Sequence, residues 1–268
     1  MKKKLVKRKL AKMKISLLVL CIAGSLILIF YACKRESISE IKTEIDVGES
    51  SQVIRTRSGE LSWDYPVKPG MEKWKLFQSN EEMVRACQIP ESILSSLSTE
   101  ELTDLCLKYP LLNDVFAFNS YNDGLDKLFS DFNGMRELYK REDVSSSLTR
   151  RYIDKVESFS FLDGTAPEIE KGFFIISVSA LEVLLSRVEI QNEQKEILQS
   201  LVTGYEGKLK YLDYFRGFGF RSNLYSRGHV ILKIDRSGID AANSVLFSGR
   251  ADDESINIID KLSYQLKN

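Results

Sequence analysis

The beginning of this 268-residue chain constrains its fold more than any other feature. Eight Lys and Arg crowd the first fourteen residues, eighteen largely apolar residues run from Ile15 to Ala32, and Cys33 follows. A basic stretch before a short apolar run is the pattern of an export signal. Residues 1–32 therefore stand outside any globular fold, and the rest is expected outside the cytoplasm. The basic cluster stays inside, as the positive-inside rule requires.

Cys33 decides how the chain is held. The box Phe30-Tyr31-Ala32-Cys33 resembles the end of a bacterial lipoprotein signal, whose cysteine thiol carries the lipid after cleavage. Ala32 fits that box, while Phe30 and Tyr31 are bulkier than its usual residues. An uncleaved signal anchor is the alternative: eighteen helical residues at about 1.5 Å each span roughly 27 Å, enough for a bilayer core. A cleaved, freely soluble form is the third possibility. The first two make the membrane a partner of this protein.

Removing residues 1–32 changes the charge argument. The whole chain balances at 38 basic and 38 acidic residues, and the leader carries eight bases and no acid. The remainder then holds 30 basic against 38 acidic residues, a net of −8. An acidic domain without a basic stripe is a poor nucleic-acid binder, because phosphate neutralisation supplies most of that affinity. Beyond Cys33 only Cys87 and Cys106 remain, too few for a disulfide framework. Both sit among apolar neighbours and are expected as buried free thiols.

Three segments follow from composition. Residues 1–32 are the signal, residues 33–60 form a charged, Ser-containing tether, and residues 61–268 form a mainly helical extracytoplasmic domain. The domain opens on Trp63, Tyr65, Trp74 and Phe77 around Pro66, Pro69 and Gly70. The prolines exclude a continuous helix there. This arm either packs its aromatics onto the helical body or presents them as a platform for a sugar or peptide.

Helix signals dominate from Ser79 onward. Ser79-x-x-Glu82 and Ser98-x-x-Glu101 match a capping box, and Pro90 and Pro110 stand where helix starts tolerate proline. Short helices are expected near 81–88, 91–97, 99–108, 111–118, 125–131 and 134–141. Thr165-x-Pro167-Glu168 opens a long helix that is apolar on nearly every face and so expected to be buried. It is short for a membrane span and carries Glu182. An amphipathic helix from Ile190 to Phe215, with Ile197, Leu201, Tyr205, Leu209 and Leu212 on one side, completes a central pair. After Arg216 the pattern fails at Gly217, Gly219 and Gly228, leaving an irregular Gly/aromatic segment with 230–234 as a possible strand. Asp252, Asp253 and Glu254 then start a terminal helix. The fold class is all-α, a bundle or a short stack of helical hairpins.

Residues 79–157 resemble a helical region of uncharacterised exported, lipoprotein-like proteins of anaerobic gut bacteria. The likeness rests on Gln88-Ile-Pro-Glu91, Leu97-Ser-Thr-Glu-Glu101, Lys108-Tyr-Pro-Leu111, Phe116-Ala-Phe-Asn119 and Phe132-Asn-Gly134. These motifs are structural punctuation, and the resemblance implies export and a helical fold but no activity.

Chemical signatures are sparse. The sole histidine, His229, excludes multi-histidine zinc sites and reads as a structural or exposed residue. Gly217-x-Gly219 lacks the third glycine of a dinucleotide fingerprint. Tyr121 and Ser130 replace oxygen ligands in the calcium-loop register of residues 119–130. No cofactor, metal or catalytic set is assigned. Residues 207–236, however, hold seven bases against two acids, together with six aromatics. Arg216, Arg221 and Arg227, with Phe218 and Tyr225, are the candidate ligand-binding residues, because guanidinium groups beside aromatics suit anionic or glycan ligands. The function expected is a membrane-anchored binding or interaction module of the cell envelope, with an envelope protein or a glycan as partner. An envelope hydrolase using Asp or Glu and a scaffold subunit without a small ligand are the alternatives.

Overall fold

In a computed structural model of the chain, residues 54–55, 61–235 and 253–267 are described, and side chains are described for 63–217, 219–235 and 253–267. Every described residue belongs to one compact unit, Ser50–Asn268. Cys33, the apolar run before it and Arg236 lie outside the described residues, as does the side chain of Phe218. No helix among the described residues is long and apolar enough to cross a membrane.

The domain begins before residue 61. Strand β1 (Ile54–Arg55), inside the expected tether, pairs antiparallel with β2 (Leu61–Ser62). The aromatic arm then turns inward: Trp63 and Tyr65 are buried, and the Tyr65 hydroxyl donates to the Leu105 carbonyl at 2.9 Å. Those two rings are core and leave no platform. Trp74 and Phe77 sit edge to face, 5.6 Å apart, nearer the surface.

The body is helical, as composition and capping predict. Helices α1 (Asn80–Ala86), α2 (Glu91–Leu94) and α3 (Thr99–Leu107) follow the expected starts. Ser98 and Glu101 form a complete capping box at the head of α3. At α1 the box is shifted: Ser79 accepts from the Glu82 N–H, but the Glu82 carboxylate caps Gln78 at 2.7 Å. The helix expected at 111–118 is a 3-10 stretch, Leu112–Ala117. Helices α4 (Tyr121–Asp131) and α5 (Asn133–Leu138) come next. An unexpected helix, α6 (Val144–Glu157), follows; its Ser-rich start hides a stripe of Val144, Leu148 and Tyr152 that faces the core.

The long helices depart from expectation in instructive ways. In α7 (Glu168–Leu185) only the second half is fully buried, from Val178 onward. Ile169 and Phe173 are 68% and 58% exposed, so an apolar sequence on all faces here produced a half-covered helix. The expected 190–215 helix breaks at Lys210–Tyr211 into α8 (Gln194–Leu209) and α9 (Leu212–Phe215), and Leu209 and Leu212 face solvent. The described part of the segment read as irregular is instead a regular helix, α10 (Phe218–Ile234), which includes the supposed strand; residues 236–252 lie outside the described residues. Gly217 turns the chain into it with φ +66°, a conformation favouring glycine. Helix α10 packs on α7, α8 and the terminal α11 (Asp253–Leu266), and α6 packs on both α7 and α8. The two long helices expected as a central pair are thus joined through α10 and α6, with α10 at the hub, instead of against each other.

Candidate functional site

A polar cluster lies inside this hub. Glu182, on the buried half of α7, is fully enclosed, and so is its partner Lys208 of α8. Lys208 Nζ stands 2.6 Å from both Glu182 oxygens and donates to the Gly219 carbonyl at 2.5 Å. Tyr152 of α6 donates to Glu182 Oε1 at 2.7 Å, Asn223 Nδ2 to the same oxygen at 2.9 Å, and Ser222 to Oε2 at 2.6 Å. The carboxylate thus receives four donors from three helices. Burial works against the Lys208 charge and lowers its pKa, while Glu182 opposes that shift. Burial, then Glu182, raises the Tyr152 hydroxyl well above its ordinary range, which keeps it a donor. Gly204 makes the arrangement possible: a Cβ there would lie 1.8 Å from the Tyr152 hydroxyl.

Arg227 links this cluster to the surface. Its Nε donates to Asn223 Oδ1 at 2.9 Å, and its Nη1 pairs with Asp260 of α11 at 2.7 Å. The guanidinium also lies 4.3 Å from the Tyr205 ring centre. Beyond it opens a cleft of about 640 Å³, within the size range of ligand pockets. Its walls include Tyr205, Phe220, Arg221, Leu224, Arg227 and Ile256.

The candidate arginines are therefore separated by role. Arg221 and Arg227 line one cleft; Arg216 pairs with Asp213 at 2.5 Å on the open surface and does not join them. Arg227 is committed to Asp260, whereas Arg221 is exposed and makes no ion pair among the described residues. Tyr225 is buried away from the cleft wall, its hydroxyl donating to Asn122 Oδ1 at 2.7 Å. Sequence reasoning missed Tyr205, Glu182, Lys208 and Asp260. The available signal was Glu182 itself, a lone carboxylate among apolar residues, which demands a buried partner.

Other candidates resolve more simply. The His229 ring lies 4.4 Å from that of Tyr225, tilted by 57°, and its Nε2 is buried without a hydrogen-bond partner among the described residues. Burial, with Lys233 and Arg187 nearby, pushes it down to about 4. Cys87 and Cys106 are buried free thiols, and burial pushes Cys87 up to about 12. Asp114 and Asp131 share a recess of about 60 Å³, room for water but not for a sugar ring. Among the described residues no cluster of His, Cys, Asp and Glu could hold a metal ion. Compared with protein-family models, curated proteins and solved structures, the chain matches none.

Proposed function

We propose that this chain is an exported, membrane-tethered binding module of the cell envelope whose cleft between α8, α10 and α11 takes an acidic sugar. The observation that carries the reading is Arg221, a guanidinium with no ion pair among the described residues, on the wall of a ligand-sized cleft that also carries the Phe220 and Tyr205 rings. A guanidinium binds a carboxylate by two parallel hydrogen bonds, and ring faces cover the apolar side of a sugar. Arg227, neutralised by Asp260 and held by Asn223, gives the wall a fixed edge and leaves Arg221 as its free cation among the described residues. The N-terminal basic and apolar segments and Cys33 support the tether, and the likeness of residues 79–157 to exported proteins agrees with it.

Calorimetric titration of the full chain with digalacturonate, N-acetylneuraminate and lactose tests the reading. Binding of an acidic sugar that weakens with salt, and none of lactose, is expected. Equal binding of lactose, or no binding of either acid, overturns it. The tether is tested separately: Cys33→Ser should abolish labelling by a palmitate analogue, and an unlabelled wild-type chain would leave the signal anchor.

A further inference from the structure

The exposed half of α7 borders a second cleft, of about 550 Å³, that the acidic-sugar reading does not use. Three segments form it: the end of α6 with the 3-10 stretch Ser158–Asp163, the first half of α7, and the Leu107–Asn113 turn after α3. Its apolar wall is aromatic. Phe161 and Phe174 lie 5.3 Å apart by ring centres, and Phe173 adds a ring that is 58% exposed. Such rings clustered on one surface are the usual mark of a binding site.

The charges at this cleft are unbalanced. Lys108 and Lys155 both line it, and neither forms an ion pair among the described residues. Lys155 is half-buried, with Nζ 5.1 Å from the Phe174 ring centre, and burial lowers its pKa. A lysine drawn toward apolar surroundings without a counterion costs stability, so its placement asks for an anion from outside. Among the described residues Glu170 is the one carboxylate on the wall, against Lys108 and Lys155. A membrane surface is a poorer fit, because Glu168 and Glu170 flank the exposed Ile169 and would meet anionic headgroups.

We propose that this cleft binds a small carboxylate with an apolar body, the carboxylate meeting Lys155 and Lys108 and the body lying on Phe161, Phe173 and Phe174. The site is independent of the Arg221 cleft, which involves α8, α10 and α11. Hydrophobic surface supplies the affinity and the lysines select the sign of charge.

The test is calorimetric titration of the full chain with decanoate below its micelle concentration, with decyltrimethylammonium as the control of opposite charge. Decanoate is expected to bind one per chain. Lys155→Met and Phe173→Ser should each weaken it about tenfold or more, a loss equivalent to about 1.4 kcal/mol, and Arg221→Ala should leave it unchanged. Both cleft substitutions fall on exposed or half-buried side chains, and an unaltered circular dichroism melt shows that the variants fold. The proposal is overturned if the cation binds as well as decanoate, if either cleft variant binds like the wild type, or if decanoate does not bind. Loss of decanoate binding in Arg221→Ala would place the site elsewhere and overturn it too.

Discussion

Two halves of one helix show how this molecule uses charge. The second half of α7 is enclosed and carries Glu182, and there every charge is answered: Lys208, Tyr152, Ser222 and Asn223 all turn toward it. The first half is apolar yet half-open, and the nearby Lys155 has no counterion among the described residues. Charges that the fold satisfies hold helices in register. Charges without an ion pair among the described residues at clefts, Lys155 in one and Arg221 in the other, are where binding is expected.

The comparison breaks first at Glu182. Glu182→Ala would leave the Lys208 ammonium buried without a counterion, at a cost of about 3–5 kcal/mol by urea unfolding. Replacing both partners, Glu182→Leu with Lys208→Met, should recover part of that loss: the apolar pair removes the desolvation penalty of the two charges, while the buried Tyr152 hydroxyl still loses its acceptor. If the single and double variants are equally unstable, the pair is not the unit of stabilisation. Gly204→Ala comes next. Alanine favours helix, but its Cβ meets the Tyr152 hydroxyl, and a net loss of about 2 kcal/mol is expected from overpacking. A gain in melting temperature would show that Tyr152 has room to move.

His229 sharpens the contrast from the pH side. Its folded pKa, about 4, lies below the ordinary 6.5, so the unfolded chain binds the proton more readily. Its contribution is therefore complete above about pH 6.5 and is lost as pH falls toward 4, on the order of 2 kcal/mol given its partial exposure. As the only imidazole in the chain, it gives one NMR titration, and a midpoint near 6.5 would refute the burial argument. Lys155→Met should have the smallest effect on stability, leaving it unchanged or slightly raised, because no ion pair is broken. A marked fall in melting temperature would reveal a partner for Lys155.

Much of the first half of the domain was legible in the sequence because its signals are local. Ser98 with Glu101 marks the start of α3 within a few residues, and Pro90 and Pro167 mark two further starts. Helix α6 was hidden because Ser145, Ser146 and Ser147 obscure its stripe, which packing of Leu148 and Tyr152 decides. Helix α10 was hidden by Gly219 and Gly228, whose low helical preference is overridden at the hub of the fold. The site was half legible. The basic, aromatic stretch pointed to Arg221 and Arg227, but pattern alone could not show that Asp260 occupies Arg227 or that Arg216 turns away to Asp213. Lys208 and Glu182 stand 26 residues apart, and only the packing of α7 and α8 against α10 brings them together.

The most direct test of the account is a paired measurement on Arg221→Ala, comparing affinity for digalacturonate with the melting temperature of the full chain. The account predicts an affinity at least about tenfold lower, near 1.4 kcal/mol, with the melting temperature unchanged. Retained affinity, or a melting temperature that falls with it, would contradict the claim that a cleft arginine with no ion pair among the described residues is there for a ligand and not for the fold.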